Sequence, residues 1–129
     1  MASSLVVTDV RSDVAATVQR LTAALARRSI TLFATIDHAA GARGVGLDLA
    51  DEVVLIFGNP AAGTPLMQQD PRVGIDLPLR LLVWSAGGVT KVAYHDPVHL
   101  ADHYALDAAR GALQAMRGLL EALVGEAAH

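Results

Sequence analysis

Two predicted strands of this 129-residue chain carry apolar side chains on both faces, and this feature limits the possible folds most. Residues 53–57 read Val-Val-Leu-Ile-Phe, and residues 79–84 read Leu-Arg-Leu-Leu-Val-Trp. Alternate side chains of a strand point to opposite faces of its sheet, so each strand needs apolar neighbours on both sides. No run approaches the roughly 18–20 apolar residues of a membrane span. The chain therefore predicts a central sheet whose two faces are both covered.

Periodicity sets the order of the elements around these strands. Apolar residues spaced three and four apart predict a helix over residues 13–28 and a final helical stretch after residue 97. Strands are predicted at residues 4–10, 31–38, 53–57, 77–84 and 89–95, the last two joined by a hairpin turn at Gly87-Gly88. This β-α-β-β-β-β-α order predicts one α+β domain over residues 1–129. Its five-stranded, largely antiparallel sheet would carry two long helices packed on one face.

The second face of that sheet would then lack a helix layer. The chain is 53% hydrophobic and only 18% charged, with a mean hydropathy of +0.40, so it has apolar surface to cover. A large apolar patch on a protein surface usually marks an interface. We therefore expect a homodimer that buries the second face. The alternative is that the segments 39–46 and 60–76 cover this face within one chain.

Charge and composition exclude several classes of function. The net charge is −3 and basic residues form no cluster, so neither a nucleic-acid nor a membrane partner is expected. The chain has no cysteine, which removes disulfides and thiolate chemistry. The first ten residues lack the pattern of a signal peptide, and a cytoplasmic protein without a cofactor is expected.

Seven residues in or near the ends of the predicted strands are candidates for a small-molecule site. They are Asp37, His38, Asn59, Gly63, Thr64, Asp76 and Tyr94. In this hypothesis they gather at one end of the sheet and bind a small polar or anionic ligand. Asn59 and the backbone around Gly63 would donate hydrogen bonds, as glycine-rich turns before helices do. Glycine and proline in such a segment also serve simply to form turns.

Two further hypotheses concern chemistry rather than binding. In the first, His38 acts as a general base that Asp37 or Asp76 orients, which would make the protein an enzyme. No serine-nucleophile or dinucleotide motif supports a particular reaction, so whether the chain is an enzyme stays open. In the second, His95, His99 and His103 bind a divalent metal, because His99 and His103 are four apart and would share one face of the helix predicted after residue 97. Solvated surface histidines are the alternative.

Five segments together carry a resemblance to a known family. They are Thr-Leu-Phe-Ala-Thr-Ile-Asp-His at 31–38, Val-Gly-Leu at 45–47, the run 57–67, Ile-Asp-Leu-Pro-Leu at 75–79 and Tyr-His-Asp-Pro at 94–97. In this order they resemble the domain-of-unknown-function family 302 over nearly the whole chain. The resemblance implies a small domain of TATA-binding-protein-like topology that forms dimers. It implies no activity, and the three histidines depart from the family pattern.

Overall fold

The computed structural model describes residues 4–128. Its strands are β1 (Leu5–Val10), β2 (Thr31–Asp37), β3 (Glu52–Gly58), β4 (Leu79–Ala86) and β5 (Val89–His95). Its α-helices are α1 (Val14–Arg27), α2 (His38–Gly44), α3 (Pro60–Gln69) and α4 (Arg110–Ala128). Three 3-10 helices cover Pro71–Asp76, Pro97–Asp102 and Asp107–Ala109.

The five strands form one sheet in the order β1-β5-β4-β3-β2, and every neighbouring pair is antiparallel. The β4–β5 hairpin turns at Gly87 and Gly88, whose φ angles of 59° and 80° suit glycine best. This architecture confirms the predicted α+β fold and the number and order of its strands.

The helices α1 and α4 cover one face of the sheet. Leu55, Phe57 and Leu81 of the central strands are fully buried against Leu21 of α1 and Leu123 of α4. A second apolar cluster extends this layer at the side of α4, where Leu66 and Val73 pack with Leu113 and Met116. The segment 60–76 therefore packs beside α4.

The opposite face of the sheet lies away from α1 and α4 and carries a continuous apolar row across all five strands. The row consists of Ile36, Val54, Leu82, Ala93 and Val7, each paired with the next across neighbouring strands. Ala93 is buried and Val54 and Leu82 are half-buried, while Ile36 and Val7 at the two ends of the row are exposed. The apolar residues predicted for both faces of β3 and β4 thus occupy both faces. We call this second surface the open face.

Side-chain caps begin two of the helices. Helix α1 is capped by Asp13, whose Oδ1 accepts from the amide of Ala16 at 2.8 Å. Helix α3 begins at Pro60 after the cap Asn59, and Pro65 lies inside it. The final helix α4 begins at Arg110 rather than directly after residue 97, because a 3-10 helix, a break and a second 3-10 turn precede it.

Candidate functional site

Antiparallel pairing separates the predicted ligand residues between the two ends of the sheet. Asp37 at the end of β2 pairs with Val53 at the start of β3, whereas Gly58 pairs with Thr31. Asn59 follows Gly58, so it lies at the far end of these strands from Asp37, roughly 20 Å away at the usual rise per residue. Asp76 precedes β4 at the same end as Asn59, because Leu79 pairs with Phe57. One site holding all seven residues does not form.

Asp37 serves as the N-cap of α2. Its Oδ1 accepts a hydrogen bond from the amide of Ala40 at 2.8 Å, and His38 is the first residue of the helix. Asp76 lies at the other end of the sheet from His38, where Tyr104 donates a short hydrogen bond to its carboxylate. This bond, more than any other influence, raises the pKa of Tyr104. The described geometry therefore gives His38 no carboxylate partner for acid–base chemistry.

Asn59, Gly63 and Thr64 border a cavity of about 350 Å³ beside α3. The side chain of Asn59 caps α3 by accepting from the amide of Ala61 at 2.9 Å. The remaining walls include Phe33, Met67 and Met116. None of the residues that line this space carries a charge. We call it the α3 cavity.

A larger groove of about 920 Å³ runs along the open face. His38, Glu52 and Val54 line one part of it, and Asp76 and Tyr94 line the other. Burial raises the pKa of Tyr94 above its ordinary value, and the nearby Glu121 carboxylate raises it further. Of the predicted ligand residues, His38, Asp76 and Tyr94 thus share this groove.

The three histidines of the metal hypothesis also border the groove, but each contacts a different group. His95 Nδ1 lies 2.7 Å from the hydroxyl of Ser4, and His99 Nδ1 lies 3.4 Å from the carboxylate of Asp102. The ring centroids of His103 and Tyr104 lie 6.5 Å apart, with the two rings in an edge-on arrangement. Within residues 4–128, no three histidine or carboxylate side chains come close enough together to hold a metal ion.

Sequence reasoning missed two carboxylates that tie distant segments together. Asp70 is only 5% exposed and accepts from the Arg72 guanidinium at 2.8 and 2.9 Å and from the amide of Ala105 at 3.0 Å. Asp96 accepts from Arg117 at 2.5 and 3.0 Å. These hydrogen bonds hold the pKa of each carboxyl below its usual range, with the arginine as the main cause.

Both carboxylates belong to an Asp-Pro dipeptide, which was the sequence signal that could have identified them. Asp70 and Asp96 each precede a proline and cap a 3-10 helix, as Asn59 does before Pro60 in α3. An Asx residue followed by proline favours a helix start, because proline lacks the amide hydrogen that the first turn leaves unbonded. The dipeptide predicts the helix cap. It does not predict which arginine side chain or backbone amide donates to the carboxylate.

The fold defines the class of protein: a small α+β domain with one antiparallel sheet and its main helix layer on a single face. The chain belongs to the family described as domain of unknown function DUF302, whose model matches residues 6–123. An uncharacterized conserved DUF302 protein from Bacillus stearothermophilus has the same fold, with a TM-score of 0.86 over 98% of this chain and 99% of its own. Since the two sequences are only 23% identical, this likeness concerns the fold alone.

Curated relatives extend beyond the domain. The chain is 40% identical over 105 residues to proteins named fluoride-specific ion channel FluC 1 from Brucella suis and Brucella abortus. The match covers 81% of this chain but only 41% and 39% of those proteins, so the chain spans about two-fifths of their length. Among residues 4–128, no helix is both long and apolar enough to cross a membrane.

Proposed function

We propose that this chain is a homodimeric module that associates through the open face. The observation that carries the proposal is the apolar row of five residues, one from each strand, on the side of the sheet away from α1 and α4. Ile36 and Val7, at the two ends of this row, are exposed to water, and a second copy would remove that unfavourable contact on both chains at once. Of the two segments that could cover this face within one chain, 60–76 packs beside α4, whereas the segment 39–46 contains most of α2, which contacts β3 and buries Ala39.

The charges on the open face support a second copy as the occupant. Arg80 lies next to Ile56 at one end of the face, and Glu52 lies next to Trp84 at the other end. Neither charge takes part in an ion pair within residues 4–128, whereas Lys91 and Asp9 pair with each other at 2.6 Å. The face therefore ends in one free cation and one free anion.

A two-fold axis that runs across the strands, in the plane of contact, matches these charges. Such an axis places each end of the face on the opposite end of the other copy, which is how an isologous interface is built. Arg80 then approaches Glu52 of the partner subunit, and the apolar row packs on itself. An axis along the strands would instead oppose like charges.

Size-exclusion chromatography with light scattering, which measures the molar mass of the eluting protein, tests the proposal. The wild-type chain is expected to have twice the 13.4 kDa mass of one chain at micromolar concentration. Arg80→Glu should raise the dissociation constant about tenfold or more, because it opposes two carboxylates across the interface. Arg80→Glu combined with Glu52→Arg should restore most of the affinity. A monomeric wild type contradicts the dimer, and a double variant no better than the single one contradicts the orientation.

A second candidate function comes from the 40% identity to proteins named as fluoride-specific channels. In this proposal the module is cytoplasmic and contributes to fluoride tolerance. Deleting its gene in the cell that carries it is expected to lower the fluoride concentration that halves growth. Chloride at equal concentration is the control, and re-expression of the chain should restore tolerance. A deletion strain with unchanged fluoride tolerance counts against this role.

A further inference from the structure

We propose that the α3 cavity is a binding site for an uncharged, largely apolar small molecule. Its volume of about 350 Å³ falls within the range of small-molecule sites in proteins. The cavity lies on the helix side of the domain, beside α3 and α4, and its lining does not include the row of the open face. The cavity shares only Pro78 and Leu79 with the groove of the open face, so most of its lining lies outside the proposed dimer interface.

A strand irregularity places an aromatic ring at the cavity. The pairing of β2 with β3 shifts register between Leu32 and Ala34, and Phe33 is the residue at this bulge. A bulge redirects the side chain that it carries. Phe33 is 53% exposed, and its ring lies beside Gly58, where an added Cβ would be 3.5 Å from the Phe33 Cε2 atom. An exposed aromatic ring at the border of an apolar cavity offers contact area to a ligand.

Gly63 keeps the space beside Met67 open. It lies inside α3, where glycine is less favourable than alanine. Its φ is not in the left-handed region, and an added Cβ would meet Leu77 and Met67 at the ordinary contact distances of 3.8 and 3.9 Å. Neither backbone geometry nor a close approach therefore requires glycine here. What the missing side chain provides is room between these two apolar residues.

The lining determines the chemistry of the ligand. No lining residue is charged, so a charged molecule would lose its hydration without gaining an ion pair. Asn59 and Thr64 are the lining residues with polar side chains. The side-chain carbonyl of Asn59 already accepts a hydrogen bond from the backbone amide of Ala61. The side-chain amide nitrogen of Asn59 and the hydroxyl of Thr64 remain to bond one polar group. The ligand class is thus an apolar molecule with a single hydroxyl or carbonyl.

Two neutral probes, 1-octanol and 1-adamantanol, and one charged probe, octanoate, test this assignment. At least one neutral probe is expected to raise the melting temperature of the wild-type protein and to bind saturably in calorimetry. Octanoate should bind at least tenfold more weakly. Trp84 is the single tryptophan and lines the groove of the open face rather than the cavity. Its emission should therefore stay unchanged at saturation.

Two glycine substitutions locate the binding. Gly63→Leu fills the space beside Leu77 and Met67 and should weaken neutral-probe binding at least tenfold. Gly118→Leu is the matched control, because it makes the same change in α4 where an added Cβ has no atom within 4 Å. The milder Gly63→Ala keeps ordinary contacts and should weaken the binding of 1-adamantanol if Gly63→Leu does not fold. A Leu82→Glu variant, which interrupts the apolar row of the open face, should bind the probes as the wild type does.

Three outcomes would overturn the proposal. The first is that neither neutral probe stabilises the wild-type protein up to its solubility limit. The second is that a folded Gly63→Leu or Gly63→Ala variant binds as the wild type does. The third is that saturation changes the emission of Trp84, which would place the probe on the open face.

Discussion

Leu82→Glu is expected to convert the proposed dimer into a folded monomer and to raise the dimer dissociation constant at least about 100-fold. Leu82 lies at the centre of the apolar row, between Val54 and Ala93. In the proposed dimer a glutamate there would be buried without a cation, once in each copy. Burying an unpaired charge at an interface costs several kcal/mol, and each 1.4 kcal/mol is a tenfold loss of affinity.

Leu47→Glu is the matched control for this variant. It makes the same change at a leucine that is 64% exposed and does not line the groove of the open face. Light scattering gives the mass of each variant, and far-UV circular dichroism shows whether it is folded. A Leu82→Glu chain that remains dimeric, or a Leu47→Glu chain that dissociates equally, contradicts the proposed interface.

Leu81→Ala, one residue away, is expected to act on folding rather than on association. Leu81 is fully buried between the sheet and the helices α1 and α4. Its truncation should lower the free energy of unfolding by about 2–5 kcal/mol, because it removes buried methyl groups and leaves a cavity. For a domain of this size, a loss in that range is a large part of the total stability.

Leu82→Ala provides the comparison, since it removes the same atoms from the opposite, half-buried face. We expect its loss of unfolding free energy to be less than half of that for Leu81→Ala. Urea denaturation measured at several protein concentrations separates the contribution of association from that of folding. Equal losses for the two variants would mean that the two faces of β4 are equally packed within one chain.

The strands and the two long helices could be predicted because their signals are local. The spacing of Val14, Leu21 and Leu25 predicts α1, and the alternation in residues 89–95 predicts β5. The apolar residues on both sides of β3 predicted two covered faces, and the structure places α1 and α4 on one of them. The dimer and the TATA-binding-protein-like topology stay predictions.

The candidate site was harder to predict because it depends on which strand ends meet. Asp37 is the last residue of β2 and Asn59 directly follows β3. Because β2 and β3 pair antiparallel, the two residues lie at opposite ends of the sheet. The α3 cavity combines segments far apart in the chain, from Phe33 to Met116, and no local pattern brings these together. The pairing of Asp96 with Arg117 is likewise a tertiary contact.

The bulge at Phe33 also limits how copies of this chain associate. β2 forms one edge of the sheet, and a regular edge offers unpaired amides and carbonyls to strands of other molecules. A bulge interrupts the regular spacing of those groups and increases the local twist. Growth of the sheet by strand addition at this edge, the first step toward fibrous aggregates, is thereby disfavoured. The proposed dimer instead uses the open face of the sheet, where association would close at two copies.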